Sequence, residues 1–217
     1  MEKMHIQFTL FSAFYSPLIS TMSGGFLKEE GIDASYSVAP PGVSAIKALE
    51  AGEAQVIQSA PSQGFTSLGK GETPTAVHFA QINEMDGFFL TGRQPDAAFE
   101  WKKLEGADVV MFGGGQPLAM FKYACHKAGI DFDKINAITP GGAADIDKAV
   151  RAGEGAYVQQ QGPFPQQLEA DGVGHVVALV GPKIGPNAFS SLASTREWLA
   201  TDQAKAFMRA YRKTRVY

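Results

Sequence analysis

The chain has 217 residues, 45% hydrophobic and 19% charged, with a formal net charge of −3. That balance gives no electrostatic case for nucleic acid or an anionic membrane surface, and no apolar run approaches the roughly 18 residues that a membrane-spanning helix needs. The only cysteine is Cys125, which excludes an intrachain disulfide.

The N-terminal stretch MEKMHIQFTLF has no long apolar core and no cleavage site, so it does not read as a signal peptide. Either the protein is cytoplasmic, or a leader was removed and replaced by an initiating methionine. An apolar strand leads into FSAFYSPL, from Phe11 to Leu18, and Pro17 suits the first turn of a helix. That helix stops at Gly31-Ile32-Asp33, because a glycine in the left-handed position ends a helix. A second strand, ASYSVA, precedes Pro41-Gly42; a second helix ends in Lys47–Glu53, and a third strand, AQVIQSAP, is closed by a proline. The run PTAVHFAQINEMDGFFLTGR then holds two strand-like segments with Asn83–Gly87 between them.

From WKKLEGADVVMF the order repeats at a spacing of about one hundred residues. Phe112 opens FGGGQPL as Phe11 opens FSAFYSPL, and Pro117-Leu118 echoes Pro17-Leu18. The helix ends at Gly129-Ile130-Asp131, the strand INAIT follows, then Pro140-Gly141. Lys148–Glu154 echoes Lys47–Glu53, and GAYVQQQGP echoes AQVIQSAP. GHVVALVGPKIGPNAF reads as a strand returning toward the first half. STREWLATDQAKAFMRAYRKT is helical: Ser194 and Glu197 have capping-box spacing, and Asp202 is placed to cap a second helix with Ala206, Phe207 and Ala210 inward. Its Arg209, Arg212 and Lys213 read as a solvated face.

The spacing is too long for a solenoid. It fits an α/β chain of two Rossmann-like lobes, each strand–helix–strand–helix–strand with a parallel sheet. Ligands bind beyond the carboxyl ends of such strands. Those ends carry Ser12–Ser16, Pro40–Ser44 and Ser59–Ser62 in the first half, and Gly113–Gln116, Pro140–Ala144 and Gln159–Pro163 in the second. We expect residues 1–86 to form the first part of lobe 1, 87–185 lobe 2, and 186–217 the return to lobe 1. Crossing strands are expected near Ala80–Thr91 and Val176–Ala188, with a ligand cleft between the lobes.

The phrases SPLISTMSGGFLKEEGIDASYSV, GVSAIKALEAGEAQVIQSAPSQ, KKLEGADVVMFGGGQ and STREWLATDQAKAFMRAYRK resemble, in this order, those of the periplasmic substrate-binding proteins of ABC importers with the type II fold. The branch resembled is the one that carries nitrate, sulfonates such as taurine, and thiamine-pyrimidine precursors. The resemblance covers most of the chain. It implies two α/β lobes, two crossing strands, closure around a small solute, a membrane permease as partner, a periplasmic location, a monomer, and no cofactor. The chain departs from the family pattern at Gln55, where an aspartate is common, and at Gln161 and Gly162, where an acidic residue often precedes Pro163-Phe164. Most members also continue beyond the helix that ends at Lys213, so part of the outer packing of lobe 1 is expected to be missing.

Candidate ligand contacts are Ser12, Phe14 and Tyr15 in the loop after the first strand, the two rings as an aromatic wall or as ordinary loop packing. Ser44 and Ser59 sit at helix starts, where a hydroxyl either serves a ligand or caps. Gly113, Gly114, Gly115 and Gln116 form a helix start open to a ligand's approach. No Walker Gly-Lys-Ser/Thr follows, and the third glycine of GxGxxG would fall on Leu118. Of Gln159, Gln160 and Gln161, Gln160 aligns with Ser59, and buried amides need partners. Glu84, Asp86 and Arg93 charge the crossing segment, with Arg93 expected in a surface ion pair rather than on an anion. No His/Cys/Asp cluster has metal-ligand spacing, and AFYSP is no nucleophile elbow. Two other readings stay open: a cytoplasmic enzyme of menaquinone or thiamine-pyrimidine synthesis on the same fold, and the effector-sensing domain of a regulator, although no DNA-binding helix pair precedes Met4.

Overall fold

The computed structural model describes residues 1–40 and 42–216. Pro41, half of the expected Pro41-Gly42 turn, lies outside the described residues. The chain divides into two compact units, one of Met1–Glu84 with Ala188–Tyr217 and one of Met85–Asn187.

The first unit opens with β1 (Glu2–Phe8), whose inner face alternates Met4, Ile6 and Phe8, all buried. A short 3-10 turn, Ala13–Tyr15, leads into α1 (Ser16–Ser23), with Pro17 in its first turn. Then follow α2 (Phe26–Glu29), β2 (Ile32–Val38), α3 (Ile46–Glu50), β3 (Val56–Ser59), α4 (Phe65–Gly69) and β4 (Val77–Gln81). β1 runs parallel to both β2 and β3. Leu18, Leu27 and Phe207 pack with Met4, Ile6 and Phe8 on one face of the sheet, while Ala45, Leu49, Ile57 and Ala193 fill the other. Burying each large apolar side chain contributes about 1.5–3 kcal/mol, so the alternation in β1 fixes which face it presents.

The second unit contains β5 (Phe88–Gly92), β6 (Asp108–Val110), α5 (Gly115–Ala128), β7 (Asn136–Ile138), α6 (Ala143–Arg151), β8 (Tyr157–Gln161), α7 (Phe164–Ala170), β9 (His175–Leu179) and α8 (Gly181–Ile184). The chain returns to the first unit as β10 (Ser191–Ser194), α9 (Arg196–Leu199) and α10 (Asp202–Val216). α5 ends where expected: Gly129 takes φ +71, and its N–H bonds the last turn.

The strand orders are β2-β1-β3-β10-β4 and β7-β6-β8-β5-β9. Both sheets follow one plan. A parallel trio is joined by one antiparallel strand, β10 in the first and β5 in the second, and beyond it lies an edge strand antiparallel to that one, β4 or β9. The fourth strand of each sheet arrives from a distant part of the chain. This is the two-lobed α/β fold that the repeat implied.

Four expectations are corrected here. The stretch Gly174–Phe189 is not a strand returning to the first half. β9 is the edge of the second sheet, and Gly181, Pro182, Gly185 and Pro186 then break the extended chain. The returning strand is β10, of which only the last residue, Ser194, was read from the sequence, as a helix cap. The cap itself is Thr195, whose Oγ1 accepts from Trp198 N at 3.2 Å; Ser194 lies in β10 and donates to the Gln55 carbonyl at 2.5 Å. At α10 the capping side chain is Thr201, which accepts from Ala204 N at 3.2 Å, and Asp202 pairs with Lys205. Among the described residues Arg93 forms no surface ion pair of the expected kind. Its guanidinium donates to the carbonyls of Val150, Glu154 and Gly155, closing the C-terminal end of α6.

Ala206, Phe207 and Ala210 face inward in α10. On its outer side Arg209 and Lys213 pair with Glu30 at 2.7 and 3.0 Å, and bonds from Lys213 and Arg209 hold the Glu30 carboxyl below its usual range.

Candidate functional site

In a parallel trio of strands, the loops at the carboxyl ends lie together at one edge. In the first unit the loop after β1 is tied down by Gln58. Its Oε1 accepts from Thr9 N and Leu10 N at 3.0 and 3.3 Å, and its Nε2 donates to Ser190 Oγ at 2.8 Å. Ser12 Oγ accepts from Phe14 N at 3.2 Å and shapes the turn. Phe14 is half-buried, edge-on to Phe189, and its carbonyl accepts from Asn83 Nδ2 at 2.9 Å. Tyr15 packs edge-on to Phe14, with ring centroids 5.4 Å apart, but is turned inward. It is 5% exposed and belongs to the core of the unit, because the turn at Ala13–Tyr15 directs it under the loop.

The exposed aromatic pair of this edge was missed. Phe11 stacks on Tyr36 with ring centroids 5.1 Å apart and planes 15° apart, and the two are 45% and 51% exposed. The sequence signal for Tyr36 was its place on the outward end of β2, the edge strand. Ser44 Oγ accepts from Ile46 N at 3.3 Å at the start of α3 and donates to Gln63 Oε1 at 2.8 Å, linking the second loop to the turn that follows the third. Ser59 is fully buried, and its Oγ has no hydrogen-bond partner among the described residues.

Gln55 lies on the approach to β3, and its Oε1 accepts from His5 N at 2.7 Å. The departure from an acidic residue there therefore concerns strand pairing.

In the second unit α5 starts two residues before Pro117, with Gly114 as its N-cap. No side chain caps it, and no acidic residue lies in its first turn. Gly113 faces Thr139, whose Cβ would lie 3.0 Å from an added Cβ; at Gly114 an added Cβ would meet nothing within 4 Å. The start of α6 is different, because Asp145 accepts from Gly142 N at 3.0 Å and sets a carboxylate there.

Gln159, Gln160 and Gln161 are all buried, at 1%, 0% and 5% exposure. Cross-strand partners point to the same face, so Gln159 and Gln161 lie with Leu90 and Phe88, and Gln160 with Phe89. Gln160 Nε2 reaches the Ala143 carbonyl at 3.5 Å, on the face that α6 covers. Connections between parallel strands are right-handed, and β7 and β8 flank β6 on opposite sides, so α5 covers the face of Gln159 and Gln161. Both polar atoms of Gln159, Oε1 of Gln160 and Nε2 of Gln161 have no partner among the described residues. Each such group costs about 1–3 kcal/mol.

Asp86, named in the sequence only as one of the charges of the crossing segment, is a buried carboxylate. It is 5% exposed; Oδ1 accepts from Phe88 N at 2.7 Å, and Oδ2 is unpaired among the described residues. Burial pushes its pKa up to about 6. Burial pushes the Cys125 thiol up to about 12, which leaves it a poor nucleophile. Among the described residues no group of three or more His, Cys, Asp and Glu is placed to hold a metal, and no helix is long and apolar enough to cross a membrane. The six loops themselves hold no charged residue.

A family model described as NMT1/THI5 like matches residues 14–217. A Bacillus subtilis (strain 168) protein named "Putative binding protein YtlA" is 28% identical over 221 aligned positions, which take in 100% of this chain and 66% of that one. The chain thus spans just under two thirds of the length of that relative. Among solved structures, the periplasmic aliphatic sulphonate binding protein SsuA from Escherichia coli has a TM-score of 0.77 and 16% identity, covering 100% of this chain and 75% of that chain. The periplasmic nitrate-binding protein NrtA from Synechocystis PCC 6803 has a TM-score of 0.71 and 16% identity, covering 100% of this chain and 62% of that chain. At these identities the two structures establish the fold.

Proposed function

The chain belongs to the NMT1/THI5-like family, and from that premise we propose that it is the solute-binding component of an ABC importer. It holds a small organic or inorganic solute, of the sulfonate, nitrate-like or pyrimidine-like kind, at the carboxyl-end loops of its two sheets. It acts in the periplasm as a monomer, without a cofactor, and delivers the solute to a membrane permease. The names of the B. subtilis relative and of the two periplasmic structures support this reading.

The observation that carries it is the set of polar groups left unpaired at the ends of the parallel strands, Ser59 Oγ in one unit and the Gln159–Gln161 amides in the other. Buried polar atoms are normally satisfied, and a bound solute supplies the missing partners. The proposed contacts are Ser12, Phe14, Ser44, Ser59, Gly113, Gly114, Gly115, Gln116 and Gln160.

Asp86 favours a second reading. A buried carboxylate with a raised pKa is what general-base catalysis uses, so a cytoplasmic enzyme on this fold has one candidate group. Its Oδ1 is already engaged by Phe88 N, and no histidine, thiolate or metal set accompanies it among the described residues. The test is native mass spectrometry of the purified protein, followed by release and identification of the bound molecule. One small solute per chain is expected, and purified protein that neither carries nor takes up any solute would overturn the proposal.

A further inference from the structure

The strand β8 lies inside its sheet, between β6 and β5, so its main chain is engaged on both sides. Its last three side chains are amides, and an amide presents both donors and acceptors. At Gln159 both kinds are unpaired among the described residues, so exchanging the amide N and O changes only which atom points where. An acceptor-only anion would satisfy the NH2 group of Gln159 and leave its oxygen alone in a buried site. A donor-only cation would do the reverse. A ligand carrying a donor and an acceptor side by side satisfies both.

Charge points the same way. The six loops hold no lysine or arginine to offset an anion. The carboxyl nearest in the chain pairing is Asp86, whose neighbour Gly87 accepts at its carbonyl from Gly162 N at 3.1 Å, one residue beyond Gln161. A carboxylate with a free oxygen beside the end of β8 disfavours an anion and accepts from a donor.

Resting on the solute-binding reading, we propose that Gln159 and Gln161 are a specificity pair for a neutral solute with adjacent hydrogen-bond donor and acceptor, as in a primary amide, a urea or a lactam. Gln159 reads both functions of that edge. Gln161 donates to its acceptor, and the uncapped start of α5 adds main-chain donors on the same face.

The test uses the full chain, with thermal shift and calorimetry against acetamide, urea and 2-pyrrolidinone on one side and taurine and nitrate on the other. Mass spectrometry identifies any solute released from the purified protein. A dose-dependent stabilisation by a neutral probe is expected, or a co-purified solute with such an edge. Its affinity should fall at least tenfold in Gln159→Leu, with circular dichroism confirming the fold; Gln161→Met serves as the second variant if the first does not fold. Binding of taurine or nitrate in preference to the neutral probes, a co-purified anion, or full affinity in both folded variants overturns the specificity pair while leaving solute binding intact. No binding of any probe together with no co-purified solute overturns the solute-binding reading, and this inference falls with it.

Discussion

Gln58 Nε2 lies 2.8 Å from Ser190 Oγ, although 132 positions separate the two residues. The bond ties β3 to the residue before β10, the strand that reaches the first sheet only after the chain has built the second unit. The same side chain holds the loop after β1 through Thr9 N and Leu10 N. Gln58→Ala removes the tie and leaves these donors to water that reaches them only partly. It should lower unfolding stability by roughly 2 kcal/mol, read from a urea titration, and should weaken solute binding by loosening the first loop.

Gly114 offers a cleaner probe of the α5 start. Its φ of −173° is extended backbone that any residue adopts, and a side chain there meets no protein atom. Gly114→Val should therefore keep the circular dichroism spectrum and lower solute affinity at least tenfold by calorimetry. Gly113→Val should behave differently: its Cβ would press on Thr139, so it should lower stability as well. A folded Gly114→Val with full affinity would show that the glycines only make a turn.

The sequence showed most of the fold because its signals are local. Glycine stops, prolines at helix starts and the alternation in β1 each act within a few residues. What it hid depends on distant partners. β10 is four buried residues, Ser-Leu-Ala-Ser, between two antiparallel neighbours, so it has no polar face and no alternation to read. Arg93 has a positive charge at a strand end, which reads as surface, yet its partners lie 57 to 62 positions away. In the candidate site the loops were legible from the repeat, but the burial of Tyr15 goes with a 3-10 turn that no residue pattern announces, and the stacking of Phe11 on Tyr36 joins two residues far apart in the chain.

Arg93 should therefore matter for folding more than for binding. Arg93→Met removes three bonds to carbonyls that α6 and the following turn leave open. It should lower the stability of the chain by about 1–3 kcal/mol. Arg93→Lys keeps the charge but not the fork and should recover less than half of the loss. Chemical denaturation measures both.

Asp86 makes stability depend on pH. Its folded pKa of about 6 lies above the ordinary 3.8, so the folded state holds this proton more tightly than the unfolded chain. Stability from this group is fully present below pH 4 and is lost as pH rises to 6, a change of about 3 kcal/mol. Asp86→Asn keeps an oxygen for Phe88 N and removes the charge. It should be more stable than the parent chain at pH 7, with the difference vanishing below pH 4, as read from denaturant midpoints across that range.

The central claim is binding without chemistry at the loops of the two sheets. The most direct measurement is calorimetric titration of the purified chain with the solute identified from it, followed by mass spectrometry of the solute recovered after prolonged incubation. One site per chain and quantitative recovery of the unchanged molecule are expected. Steady conversion of the solute into a product, abolished in Asp86→Asn, would contradict the claim and make the protein an enzyme on this fold.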